Sequence, residues 1–143
     1  MDTKDPYLMN RLGNVNNPYQ RTKQYKRVVC VCSAGLLRSP TAAVVLAGDP
    51  WNYNTRAVGV IPEFALVSLD DVLLEWADEF VCMTWEQAGV VECRLALADL
   101  KTPVVALNIP DNFAYRDPEL VRLISEGYIA FQASQILKSL TDL

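Results

Sequence analysis

Apolar and polar positions along the chain fall into blocks whose period changes from segment to segment. Residues 1–26 carry no periodic apolar positions and are rich in Asn, Gln, Tyr and Pro. From Arg27 the run Val28-Val29-Cys30-Val31-Cys32 is continuously apolar and largely β-branched, which predicts a strand buried on both faces. Residues 33–38 are small or mixed, include Gly35, and read as a loop. Ser39 suits an N-cap and Pro40 the first helical position, so a helix is expected to run to Ala47 and stop at Gly48-Asp49-Pro50. Residues 54–60 predict a second strand. Ser68 can cap a helix reaching Trp76, with Val72, Leu73 and Trp76 on one face. Residues 79–83 predict a third strand. Thr84-Trp85-Glu86-Gln87 has the T-x-x-Q form of a capping box and opens a helix to about Ala98. Residues 103–108 predict a fourth strand, and residues 109–117 an irregular loop. Asp117-Pro118 repeats the cap-then-proline signal and starts a helix toward Leu140, which Gly127 could interrupt.

Strands alternating with helices predict an α/β chain, a four-stranded parallel sheet between two helical layers. The crossovers should be right-handed. Ligands of such sheets bind beyond the carboxyl ends of the strands. That rule puts the loop from Cys32 to Ser39 and the loop of residues 109–117 on one edge.

The length of 143 residues and the 51% apolar content fit one domain, residues 27–143, with residues 1–26 as a polar extension outside its core. That extension carries five basic and two acidic side chains, a net of +3, while the remainder carries −7. It reads as a solvated tail or as a basic arm for a partner. The chain's net charge of −4 disfavours non-specific nucleic-acid binding. No apolar run approaches the roughly 20 residues of a membrane span. The first twenty residues lack the apolar core of a secretory leader, so a cytoplasmic protein is expected. The pattern does not set an oligomeric state. With no histidine at all, Ser-His-Asp triads, Cys-His pairs, histidine metal sites and Cys/His zinc fingers are excluded.

Four cysteines are present: Cys30, Cys32, Cys82 and Cys93. Cys30, Cys82 and Cys93 lie among apolar neighbours and read as small buried hydrophobes. Cys30 is expected to face away from Cys32. Cys32 is set apart by its carboxyl-terminal neighbours. Cys32-Ser33-Ala34-Gly35-Leu36-Leu37-Arg38-Ser39 has the form C-x5-R-S between a strand and a helix. Small residues let residues 33–39 curl their N–H groups around an anion, and the helix start adds its positive dipole end. Arg38 can hold two phosphoryl oxygens in its planar fork. The same positive field favours a Cys32 thiolate, to which Ser39 can donate. The alternative is a buried Cys32 and a surface Arg38 at an ordinary turn. Cleaving a phosphate ester also needs an acid for the leaving oxygen, and without histidine a carboxyl must serve. Asp111, directly after the fourth strand, is the first candidate. Asp117 is the alternative, with a ready role as a helix cap. Phe113 and Tyr115 could wall an aromatic pocket or pack their loop on the core.

The segment VVCVCSAGLLRSPTAA resembles the phosphate-binding loop of low-molecular-weight protein tyrosine phosphatases. TRAVGV and WADEFVCM resemble that family's second and third strands, and LNIPDNFAYRDPELV resembles the IPD…DPEL segment of related bacterial and phage phosphatases. The resemblance spans about residues 27–140. It implies a flavodoxin-like sheet in the order 2-1-3-4 and a phosphocysteine mechanism on phosphotyrosine or a similar phosphomonoester. It implies Cys32 as nucleophile, Arg38 as phosphate ligand, Ser39 as thiolate partner and Asp111 as acid, with no metal and no cofactor. Gly35 replaces the family's usual asparagine, Leu37 its second loop cysteine, and Asn112 comes after Asp111 where proline is usual. Other readings are an arsenate reductase of the same fold shuttling through Cys82 and Cys93, a non-catalytic phosphate or phosphopeptide binder, and a cysteine phosphocarrier, against which Arg38 argues.

Overall fold

The computed structural model describes residues 25–33, 38–61, 65 and 67–142. Four strands form one parallel sheet: β1 (Arg27–Cys32), β2 (Asn54–Gly59), β3 (Glu79–Cys82) and β4 (Val104–Ala106). Their order is β2-β1-β3-β4, as expected. The intervening helices are α1 (Arg38–Ala47), α2 (Asp71–Trp76), α3 (Trp85–Leu97) and α4 (Pro118–Thr141). Of the expected extension, only Tyr25 and Lys26 are among the described residues, and Lys26 is tied to the sheet through Glu79.

The central strand explains the architecture. From Val28 on, every residue of β1 is buried, because its two faces meet two separate cores. Val28, Cys30 and Cys32 pack with Ala42, Ala43 and Leu46 of α1 and Leu120, Ile124 and Tyr128 of α4. Val29 and Val31 pack on the other face with Leu74 of α2 and Ala88, Val91 and Leu95 of α3. Cys30 therefore shares a face with Cys32. The expectation that it faces away is corrected, since strand residues two apart point the same way.

Several boundaries move for identifiable reasons. The capping box at Thr84 forms, with Thr84 Oγ1 accepting from Gln87 N and Gln87 Oε1 accepting from Thr84 N. Asp117 caps α4 and Pro118 opens it. Gly127 does not interrupt α4; it lies where the helix passes over Leu107. Ser68 does not cap α2, because Ser68 forms a parallel bridge with Gly59 and Asp70 takes the cap by accepting from Leu73 N at 2.8 Å. Val72 consequently turns out to solvent, 75% exposed, and Leu74 is the buried contact. Cys93, expected inside, is exposed, because the helical period sets it opposite Val91 and Leu95.

A polar cluster closes the amino-terminal edge of the sheet. Buried Glu79 accepts from Tyr128 Oη at 2.7 Å and from Lys26 Nζ at 2.9 Å, and Tyr128 Oη lies 3.2 Å from Tyr53 Oη. No helix among the described residues is long and apolar enough to cross a membrane.

Candidate active site

Cys32 is the last residue of β1, so the parallel sheet delivers its side chain to the carboxyl edge. Cys32 Sγ lies 3.1 Å from Ser39 Oγ, a buried contact. Helix α1 begins at Arg38, one residue earlier than the cap expected at Ser39, so Ser39 and Pro40 fall in its first turn. This shift frees the Ser39 hydroxyl from capping. It stands between Cys32 Sγ and the carbonyl of Val58, to which it donates at 3.3 Å. The first turn of α1 points its positive end at the same place.

Arg38 is buried, and its guanidinium is held from the far end of the chain. One terminal nitrogen donates to the carbonyl of Ile109 at 2.9 Å, and Nε lies 3.4 Å from Asp111 Oδ1. Asp111 itself is 67% exposed along its side chain. The loop after β4 reaches this edge because Leu107 N and Ile109 N continue the pairing with β3, donating to Cys82 and Met83 carbonyls. Asn108 takes a left-handed backbone (φ 58°) between them, a conformation asparagine tolerates.

The start of the loop after β1 is pinned from two sides. Ile61 N donates to Ser33 O, and Val60 N to Cys32 O, which carries β2's pairing past its end. On the other side Gln87 Nε2 lies 3.3 Å from Ser33 Oγ. Gln87 is buried, and its carbonyl oxygen is already engaged by Met83 N and Thr84 N at 3.0 Å. Sequence reasoning found Gln87 only as a cap. Its second task, steadying Ser33 across 54 residues, has no local signature. Residues 34–37, the expected anion-binding Ala34, Gly35, Leu36 and Leu37, lie outside the described residues.

A cleft of about 450 Å³ opens over this edge. Ser33, Arg38 and Asp111 line it, with apolar walls from Val60, Ile61, Val90 and Pro110 and polar ones from Thr84, Glu86 and Gln87. Arg38 and Asp111 thus meet in the cleft, while Cys32 and Ser39, paired with each other at the end of β1, are buried and not among its lining residues. Asp117 is occupied in capping α4, accepting from Glu119 N at 2.9 Å. Phe113 and Tyr115 are half-buried and are not among the residues lining the cleft; Phe113 packs on the core that holds Cys32. Arg116, next in that loop, is fixed by its N–H to Thr41 Oγ1 of α1.

No family model matches the chain. No curated protein matches it either. Solved structures do. A YwlE mutant from Bacillus subtilis superposes with a TM-score of 0.51 at 19% identity, covering 79% of this chain and 99% of its own. A mutant of YwlE arginine phosphatase with a phosphorylated active-site serine superposes with a TM-score of 0.50, also at 19% identity, covering 68% of this chain and 90% of its own. At that identity the likeness is one of architecture, and this chain has the four-stranded parallel α/β fold of YwlE.

Proposed function

We propose that the protein is a cysteine-dependent phosphatase of the low-molecular-weight type. The observation that carries this reading is the buried Cys32–Ser39 contact at the mouth of α1, with Arg38 and Asp111 paired beside it. The Cys32 thiolate attacks phosphorus while Asp111, as the acid, gives its proton to the departing oxygen. The P–O bond breaks and an S–P bond forms. Asp111 then takes a proton from water, the water oxygen attacks phosphorus, and the S–P bond breaks to release phosphate and restore the thiolate. Arg38 binds the equatorial oxygens throughout. The incoming phosphoryl dianion displaces Asp111 from Arg38 Nε; away from that cation and beside the dianion, the Asp111 carboxyl takes a proton from water and turns to the leaving oxygen as the acid.

The substrate class favoured by the loop resemblance is a phosphotyrosyl protein or a small phosphomonoester. A second reading is a phosphorylated guanidine, as in phosphoarginine. It is favoured by the two carboxylates, Glu86 and Asp111, that line the cleft, and by the likeness to an arginine phosphatase. An arsenate reductase shuttle fits less well. Cys82 is buried in β3, and burial first, then the charge of Glu92, pushes its thiol up to about 12. It therefore stays protonated at neutral pH and is a poor relay.

The test is hydrolysis of para-nitrophenyl phosphate in the presence of chelator. Wild type is expected to turn over, and Cys32→Ser and Arg38→Ala are each expected to lose nearly all activity. Normal rates in either variant would sink the proposal. Phosphotyrosyl and phosphoarginyl peptides compared side by side then decide the substrate class.

A further inference from the structure

Residues 85, 89, 93 and 97 lie four apart on α3 and so form one ridge along the helix. All four face solvent: Trp85 is 70% exposed and Leu97 85%, with exposed Gly89 and Cys93 between them. Val90, 42% exposed, and Ala96 widen the strip. A surface helix ordinarily turns charge to water, yet this outward ridge carries none. Glu86 and Glu92 stand only on its flanks. Gly89 adds a second oddity. Glycine is a poor helix former, and a Cβ built at Gly89 meets nothing within 4 Å, so no contact among the described residues calls for it there.

The ridge is palindromic in size: large, small, small, large. Two copies related by a two-fold axis level with Val91 run their α3 helices antiparallel. Trp85 then faces Leu97 of the second copy, and Gly89 faces Cys93 of the second copy. The small pair lets the helix axes close in, and each large side chain covers the other helix's end. Interdigitated ridges of this kind are the commonest helix packing, and a two-fold contact needs this self-complementarity. We propose that the outer face of α3 is the interface of a homodimer. Its size sets its strength. The strip offers roughly 400 Å² per copy, at the scale of the largest apolar patches on monomers. Two copies bury roughly 800 Å², short of the ~1,200 Å² where stable complexes begin. The dimer is accordingly weak and concentration-dependent. It borders the cleft, since Glu86 and Val90 of the same helix line that cavity. It does not depend on the phosphatase reading.

The experiment is sedimentation of the full chain from micromolar to millimolar concentration, with reductant present to prevent disulfides through Cys93. The wild-type mass should climb from monomer toward dimer. Gly89→Leu puts bulk at the centre of the ridge while improving helix propensity. It should stay monomeric across the range with a melting temperature unchanged or raised. A wild type that remains monomeric overturns the proposal, as does a Gly89→Leu chain that associates like wild type. Should Gly89→Leu fail to fold, Leu97→Asp gives the decision: loss of the dimer supports the interface, and its retention overturns it.

Discussion

Asp111 and Asp117 sit six residues apart in one loop and face different physical demands. Asp111 is solvent-exposed beside Arg38, so its carboxyl can exchange protons with water and still lie over the cleft. Asp117 spends its carboxylate on the first turn of α4. Asp111→Asn should lower turnover by roughly 10²–10⁴, least for substrates with good leaving groups, and should leave the melting temperature almost unchanged. Asp117→Asn should cost no more than about 1 kcal/mol of stability, because asparagine also caps, and should leave the rate intact. Steady-state kinetics beside thermal melts would separate the two; a large rate loss in Asp117→Asn would transfer the acid role to it. Ser39 illustrates how one hydroxyl can change duty. Its sequence context suited a cap, and the start of α1 at Arg38, two residues before the expected Pro40, turns it instead toward sulfur.

Among the elements, β3 and α4 are joined by the Glu79 cluster, three residues down the strand from Cys82 and hence about 10 Å from the reactive edge. Tyr128→Phe removes one of the two donors to a buried carboxylate and should cost about 1–3 kcal/mol of stability, with turnover per folded molecule unchanged. Urea unfolding alongside kinetics would check it; an equal loss of rate would mean that this end of the sheet shapes the site after all. What was legible in the sequence divides along the same line. The strand of β1, the capping box at Thr84 and the Asp117-Pro118 start carry their causes in neighbouring residues, so reading them needed no tertiary knowledge. The start of α2 depended on whether Ser68 or Asp70 was free, and that was decided by Gly59 pairing with Ser68 from another strand. Arg38 could be singled out as a candidate anion ligand from its spacing to Cys32. Its anchor, the Ile109 carbonyl, is 71 residues away and has no signature in either segment. Cys93 was misjudged although its immediate neighbours, Glu92 and Arg94, are charged and period 3.6 sets it apart from Val91 and Leu95.

At the scale of the whole molecule, the fold is sensitive to base. Burial, then the charges of Cys82, Glu79 and Cys32, raises the Cys30 thiol well above its ordinary range. Cys82 is pushed up to about 12 by burial and then Glu92. Tyr128 is raised by burial first, then by its hydrogen bonds with Tyr53 and Glu79. Groups raised in the folded state contribute fully below their unfolded values and lose that contribution above them. Stability should thus be level to about pH 8.5 and then fall, each buried thiol adding a slope of up to ~1.4 kcal/mol per pH unit, with Tyr128 joining near pH 10. Melts from neutral to alkaline pH would show it, and a Cys82→Ala chain should fall less steeply. The hold of Arg38 on Ile109 acts at the same scale, because one guanidinium fastens the far loop to the first helix. An oxyanion lodged against that guanidinium would act as a folding ligand, adding about 2.7 kcal/mol at a hundred times its dissociation constant. Inorganic phosphate should therefore raise the melting temperature of wild type and leave that of Arg38→Ala where it was. For the phosphatase proposed above, phosphate is also the product, so the same ion that slows the catalyst would also preserve it.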